Sequence, residues 1–256
     1  VVGYKTHAKM LLVTRRESRK LRHYVHLGTG NYHARTARLY TDYGLLTCDE
    51  ALERDAARVF QLLTSLGQVK ALSKMLQSPF TLHKKVIEKI KREAANARAG
   101  KAARIIVKCN ALIEPETIEA LYQASQDGVR IDCIIRGVCC LRPGVPGVSD
   151  NIHVRSIVGR FLEHTRVFYF HNEGDFDLYL SSADWMGRNF FQRVETAFPV
   201  ADRKIRQRIL KDGLELYLAD NTDAWVFQKD GEYKRRVPVG KQRPHSAQSS
   251  LMSRKP

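Results

Sequence analysis

The sequence predicts an α/β protein: a mixed sheet flanked by helices. Three observations carry this. Arg104-Ile105-Ile106-Val107-Lys108 reads as a buried strand, Pro115 opens a helix running through Asp127, and Val129 to Ile135 reads as a second strand. Strand, helix and strand in that order form a βαβ unit, which implies a parallel pair. Amphipathic stretches over 81–99 and 201–218 supply apolar faces to cover a sheet. The chain has 256 residues, 43% of them apolar and 9% aromatic, which is enough to bury a sizeable core.

The elements follow in order. Val1 to Val13 opens as a strand, so His7 and Lys9, two residues apart, share a face. The basic connector Thr14 to Lys20 leads to a second strand over Leu21–Leu27, which turns into Gly28-Thr29-Gly30-Asn31-Tyr32-His33. Backbone amides in such a turn are placed to cradle phosphate. It is not a dinucleotide fingerprint, because His33 stands where the third glycine belongs. Arg35 to Thr41 reads as a short strand holding Tyr40. Thr47-x-x-Glu50 reads as a capping box for a helix with Leu52, Ala56, Val59, Phe60, Leu63 and Leu66 inward, ended by Gly67.

A domain boundary is expected within 68–80, where Gln77-Ser78-Pro79 breaks helix. The helix from Thr81 to Ala99 presents Lys84, Lys85, Lys89, Lys91 and Arg92 outward, a face expected to be solvated. Arg136 then sits at the carboxyl end of the second βαβ strand, the edge where α/β sheets bind ligands. Strands are expected over His153–Val158 and Val167–Phe170, with two short β segments ending at Ser181-Ser182-Ala183-Asp184. A helix follows over Ala201–Leu218, then a hairpin around Asp230-Gly231 joining Trp225-Val226-Phe227 to Tyr233-Lys234-Arg235. Polar residues dominate from Gly240 onward, so 241–256 is expected to be a disordered basic tail.

Composition narrows function. No run of 18 apolar residues exists, which argues against a transmembrane helix, and no signal peptide is recognisable. Five cysteines with no C-x-x-C pair fit reduced thiols in a cytoplasmic protein, with membrane contact peripheral at most. Lys plus Arg number 43 against 27 Asp plus Glu, a net +16 that favours polyanionic partners. The chain does not begin with Met and opens inside a strand pattern, so it is expected to be a fragment with residues missing upstream.

The opening pattern recurs. His7-x-Lys9 and His164-x-Arg166 each place a His and a cation on one strand face, and each is followed by a small-residue turn, Gly28-Thr29-Gly30-Asn31 and Ser181-Ser182-Ala183-Asp184. Taken alone, an H-x-K is an ordinary basic strand end. Two in matching contexts can form one site, with one imidazole attacking phosphorus and the other assisting while cations neutralise the phosphoryl oxygens. An ordinary imidazole titrates near pH ~6.5, so a free-base nitrogen is available around neutrality.

This layout resembles the phospholipase D superfamily, with a second domain complete and a first domain truncated. That superfamily's hydrolytic members carry an Asp seven residues after each His. Thr14 and His171 stand there instead, which argues against hydrolysis. Six co-linear segments look like the polyphosphate kinase family, the type that works through a phosphohistidine. They are Lys5-Thr6-His7-Ala8-Lys9, His26 to Tyr32, Thr36 to Asp42, Arg136 to Gly144, Gly159 to His164, and Ser182-Ala183-Asp184-Trp185-Met186. The resemblance implies that 1–76 is the end of a first catalytic domain and 77–240 a second. It implies that His7 is the phosphorylated nucleophile and His164 the second active-site His. Tyr40 and Arg136 match nucleotide- and phosphate-contacting residues, with Lys9 and Arg166 beside them. It implies ATP or ADP and inorganic polyphosphate as substrates, a homo-oligomer for the full-length protein, and Mg2+ held by residues upstream of this chain. Two alternatives share part of the pattern: a phospholipase D-like phosphodiesterase or nuclease, and a non-catalytic basic module that binds polyanions. No DNA- or RNA-binding signature is present, and no specific nucleic acid is expected.

Overall fold

The computed structural model describes residues 3–64 and 72–254. It opens with β1 (Lys5–Thr6), β2 (Lys9–Glu17) and β3 (Lys20–Gly28), so the expected first strand is interrupted at His7-Ala8. The interruption has a cause: the His7 and Ala8 amides both donate to Val194 O, at 2.9 and 3.0 Å. Where a strand was expected over 35–41, α1 (Ala34–Ala37) makes one turn before β4 (Tyr40–Thr41). The His33 side chain caps that turn, accepting from Thr36 N at 3.3 Å.

β5 (Gly44–Thr47) leads to α2 (Glu50–Thr64). Asp49, not Thr47, caps α2, because Asp49 Oδ1 accepts from the Ala51 and Leu52 amides at 3.0 Å each. The expected Leu66 and Gly67 positions lie outside the described residues. β6 (Leu76–Ser78), α3 (Leu82–Arg98), β7 (Arg104–Cys109), α4 (Pro115–Gln126) and β8 (Arg130–Ile135) follow, and β7 and β8 are parallel as expected. The basic face of α3 is only partly solvated, since Lys89 and Arg92 each reach Asp177 Oδ2 at 2.8 Å.

The chain continues through β9 (Ile152–Ile157), β10 (Leu162–Glu163), β11 (Val167–Phe170), β12 (Asp177–Ser181), α5 (Gly187–Phe191) and β13 (Arg193–Pro199). The helix expected over 201–218 is α6 (Arg203–Ile209) and α7 (Leu216–Ala219), joined by a π-helical segment over Leu210–Glu215. A Cβ on Gly213 there would overlap the Tyr43 hydroxyl, so the glycine lets a partly buried aromatic approach the backbone. β14 (Ala224–Phe227) and β15 (Tyr233–Arg235) form the expected hairpin.

The expectation of a disordered tail over 241–256 is not met in its described part, 241–254. α8 (Ala247–Met252) is capped by Ser246, anchored through Ala247 N to Asp220 Oδ2 at 2.7 Å, and buries Gln248. The tail is polar because its buried contacts are hydrogen bonds, which composition counts as surface.

Among the described residues, ten strands make one mixed sheet in the order β1-β13-β12-β11-β7-β8-β9-β14-β15, with β6 also pairing to β13. Both faces are apolar, so the strands read as continuous hydrophobic runs. Ile105, Val107, Cys109, Ile131, Cys133, Phe168 and Phe170 pack on one side beneath α3 and α4. Ile106, Ile134, Val167 and Tyr169 pack on the other, with Val25, Leu27, Leu52, Leu214 and Tyr217. Two smaller sheets lie beside it, the antiparallel β2-β3-β5 and the parallel pair β4-β10.

Candidate active site

Two short parallel ladders build the site. In the first, β1 pairs with β13 in the register Lys5↔Arg193 and Thr6↔Val194. One step further, His7 meets Glu195, and Nδ1 lies 2.8 and 2.9 Å from the two carboxylate oxygens. In the second, β10 pairs with β4 in the register Leu162↔Tyr40 and Glu163↔Thr41. One step further, His164 meets Asp42, with Nδ1 2.8 Å from Oδ1. Each His therefore follows a two-residue parallel strand and takes its carboxylate from the next register position of the partner strand. The sequence echo is a structural one.

The two imidazoles are held differently. Glu195 is fully buried, and it also accepts from Asn189 Nδ2 at 2.6 Å and from the Ser182 hydroxyl. A carboxylate can only accept, so His7 Nδ1 carries the proton, and in the neutral ring Nε2 keeps its lone pair. The ring is partly exposed, with 21% of the side chain accessible. His164 is more deeply set. It donates through Nδ1 to Asp42, and its Nε2 accepts from Arg166 Nη1 at 2.9 Å. Burial pushes the His164 imidazole below its ordinary value, while Asp42 pulls the other way. The Tyr40 ring lies against it, centroids 5.1 Å apart.

The expected cations are all here. Arg166 grips Asp184 with two bonds, Nε to Oδ1 at 3.2 Å and Nη2 to Oδ2 at 3.1 Å. Asp184 Oδ1 also takes the Asn110 amide N–H at 2.7 Å and Asn110 Nδ2 at 2.9 Å. Asn110 Oδ1 in turn accepts from Arg136 Nε at 2.8 Å. Burial raises the Asp184 carboxyl, but Arg166 and Asn110 outweigh it and hold the group below the usual carboxylate range. Arg136 and Asn110 stand at the carboxyl ends of parallel β8 and β7. Lys9 is buried, and its ammonium donates to the His7 carbonyl. Burial draws Lys9 down to about 8, with Glu195, Asp184 and Asp42 opposing and Arg166 reinforcing. Lys9 thus feels charges of both ladders.

In the Gly28–Asn31 turn, Thr29 is engaged through its amide, its hydroxyl and its carbonyl. Thr29 N donates to Tyr43 O at 3.0 Å, Thr29 Oγ1 donates to Asp42 Oδ1 at 3.0 Å, and Thr29 O accepts from Arg166 Nη1 at 3.2 Å. A Cβ on Gly30 would overlap the Asp42 carboxylate. The turn is a mould for the carboxylate that orients His164. Thr14 and His171 pair with His23 and Tyr169.

Sequence reasoning placed His7, His164, Lys9, Arg166, Arg136 and Tyr40, but assigned nothing to Glu195, Asp42, Asp184 or Asn110. Asp42 and Asp184 sit inside the motif segments. Glu195 had one visible signal, a carboxylate within an otherwise strand-like run, since a buried charge needs partners. No group of three or more His, Cys, Asp or Glu side chains suited to a metal ion occurs among the described residues. Asp42, Asp184 and Glu195 are engaged by His164, Arg166 and His7, so the site as built does not fit Mg2+. No described helix is long and apolar enough to cross a membrane.

Comparison with known proteins agrees with the sequence pattern. Family models described as polyphosphate kinase C-terminal domain 1 and C-terminal domain 2 match residues 1–69 and 75–248. A polyphosphate kinase of Pseudomonas aeruginosa is 59% identical over 254 residues, covering 99% of this chain and 37% of its own length. One from Burkholderia ambifaria is 60% identical over 240 residues, covering 92% of this chain and 35% of its own length. The crystal structure of polyphosphate kinase from Porphyromonas gingivalis superposes with a TM-score of 0.91 at 35% identity, covering 98% of this chain and 38% of that one. The chain thus spans little more than a third of the length of these relatives.

Proposed function

We propose, from the premise that this chain belongs to the polyphosphate kinase family, that it forms the C-terminal catalytic part of an enzyme that reversibly transfers phosphate between ATP and polyphosphate. The observation that carries the reading is His7 Nδ1 fastened to buried Glu195, which leaves Nε2 as the nucleophile. Nε2 attacks the γ-phosphorus of ATP, the bond to the β–γ bridging oxygen breaks, and ADP departs with the electron pair. A terminal oxygen of polyphosphate then attacks the same phosphorus, the N–P bond breaks, and the chain is one unit longer. Splitting the transfer in this way replaces one difficult step by two easier ones.

The residues of this chain orient and neutralise. Glu195 keeps the Nδ1 proton in place and offsets the positive charge that the ring gains on phosphorylation. Lys9, Arg136 and Arg166 lower the cost of gathering anionic oxygens, the arginines through paired donors. Tyr40, whose ring packs on His164, would contact the nucleotide. His164 supports the phosphates from the second ladder. The magnesium that accompanies ATP would take its protein ligands elsewhere in the full-length enzyme, which we expect to be a cytoplasmic homo-oligomer. The net +16 draws in a polymer with about one charge per phosphate.

The test uses protein carrying the upstream domains of its relatives. Incubation with γ-labelled ATP and Mg2+ should give protein-bound phosphate that is labile to acid and stable to alkali. Labelling of His7→Ala at the wild-type level overturns the assignment. His164→Ala should lose chain synthesis, and full retained activity would remove His164 from the site.

A further inference from the structure

We infer that Gln248, on the C-terminal helix α8, is a positioning residue that sets the strand leading into His164. The inference rests on the functional reading above and assigns a role to a part of the chain which that reading leaves idle.

Gln248 is 3% exposed and uses its whole amide. Its Oε1 accepts from Phe161 N at 2.9 Å, and its Nε2 donates to Phe161 O at 2.9 Å. The side chain therefore pairs with Phe161 as a neighbouring strand would, immediately before β10 begins. The second Nε2 hydrogen goes to Glu163 Oε1 at 2.6 Å. The other oxygen, Glu163 Oε2, takes Lys108 Nζ at 2.7 Å and Thr41 Oγ1 at 2.9 Å. Thr41 Oγ1 accepts the His164 amide N–H at 3.2 Å. One chain of buried and partly buried bonds thus runs from α8 through Glu163 and Thr41 to the His164 backbone.

Both strands of the ladder that joins His164 to Asp42 are gripped by this chain. The ladder is only two residues long on each strand, so its own hydrogen bonds constrain its position weakly. Two features set Gln248 apart from a generic core contact. Its bonds go to main-chain atoms and to the residue beside His164, and both of its N–H donors and its oxygen are engaged there. Gly159, two residues before Phe161, makes room for it, because a Cβ there would lie 2.6 Å from Gln248 Oε1. α8 itself is fastened to the body through Asp220 to Ala247 N and through Ser246 to Asp223 Oδ2. The clamp is therefore anchored at its far end.

The test compares Gln248→Ala, Gly159→Ala, their double variant and Leu251→Ala in the full-length enzyme. Leu251 packs on the core from the same helix without touching Glu163 or Phe161 through any hydrogen bond, so it reports loss of stability alone. Misplacing a supporting group costs on the order of 10- to 100-fold in activity. Gln248→Ala should lower kcat for chain synthesis by about that factor with KM for ATP unchanged. Gly159→Ala should lower kcat in the wild-type background but not further in the Gln248→Ala background, because both act through one contact. Leu251→Ala should lower Tm and leave kcat as it is at temperatures well below Tm. Wild-type kcat in Gln248→Ala, even with a lower Tm, overturns the inference, and so does strict additivity of the two substitutions. Absence of His7 labelling in the wild-type enzyme is a distinct result: it overturns the functional reading, and this inference falls with it.

Discussion

The Glu195 carboxylate lies 2.8 Å from His7 Nδ1, and 188 positions of sequence separate the two residues. The contact decides which imidazole nitrogen is available. It is made where the chain leaves β1, as the His7 and Ala8 amides turn to Val194 O and the ring meets a fully buried carboxylate on β13.

Glu195→Gln tests that relationship. The amide has the right shape but no charge, and it can present either an acceptor or a donor to Nδ1. Loss of a tautomer-setting carboxylate costs between about 10²- and 10⁴-fold in comparable sites. The rate of acid-labile labelling, followed by rapid quench, should fall within that range while the protein stays folded. A wild-type labelling rate would show that Glu195 is a packing residue.

Lys9 predicts a pH signature with opposite signs in activity and stability. Its ammonium is drawn down from 10.5 to about 8 by burial. Activity that depends on the charged form should therefore decline as pH rises through about 8. Lys9→Arg should move this limb to higher pH, since a guanidinium keeps its proton. For stability the folded-state value is the lowered one, so the burial cost is present in full below about pH 8 and fades between 8 and 10.5. In that window the unfolded chain binds the extra proton, and the Lys9 contribution to stability rises with pH. A kinetic pH profile set beside urea denaturation in the same buffers checks both signs.

Gly30→Ala should impair His164 without touching it. The new methyl would occupy the space of the Asp42 carboxylate. Overpacking of this kind costs roughly 1–3 kcal/mol. Its specific consequence is release of His164 Nδ1 from Asp42. Chain synthesis should drop toward the level of His164→Ala, and a ring-nitrogen NMR titration should show His164 losing its fixed tautomer. An unchanged His164 signal would mean that Asp42 finds another position.

Much of this architecture was legible in local pattern. The βαβ unit, the buried runs expected at 104–108 and 129–135, and the Asp230-Gly231 hairpin follow from side-chain periodicity and turn chemistry, and the structure places them within a residue of expectation. The failures share a cause. At 35–41 a His side chain cap outweighed strand propensity, at 47–50 Asp49 offered a nearer cap than Thr47, and at 241–256 hydrogen bonding replaced apolar burial. In each case a specific polar contact decided the outcome, and composition does not record such contacts.

The sequence by itself determined the fold class, the two His-x-cation motifs and the family to which the chain belongs, because these reside in short-range spacing and in the order of motifs. The expectation that each motif sits on a strand was not met, since His7 and His164 to Arg166 lie just past the ends of β1 and β10. Tertiary structure alone decided which carboxylate serves which histidine. Glu195 reaches His7, and Asp42 reaches His164 across 122 positions, through two-residue parallel ladders. The register of such a short parallel pair is set by the packing around it and not by the residues it brings together, so an identity at one position carries no mark of its partner at another.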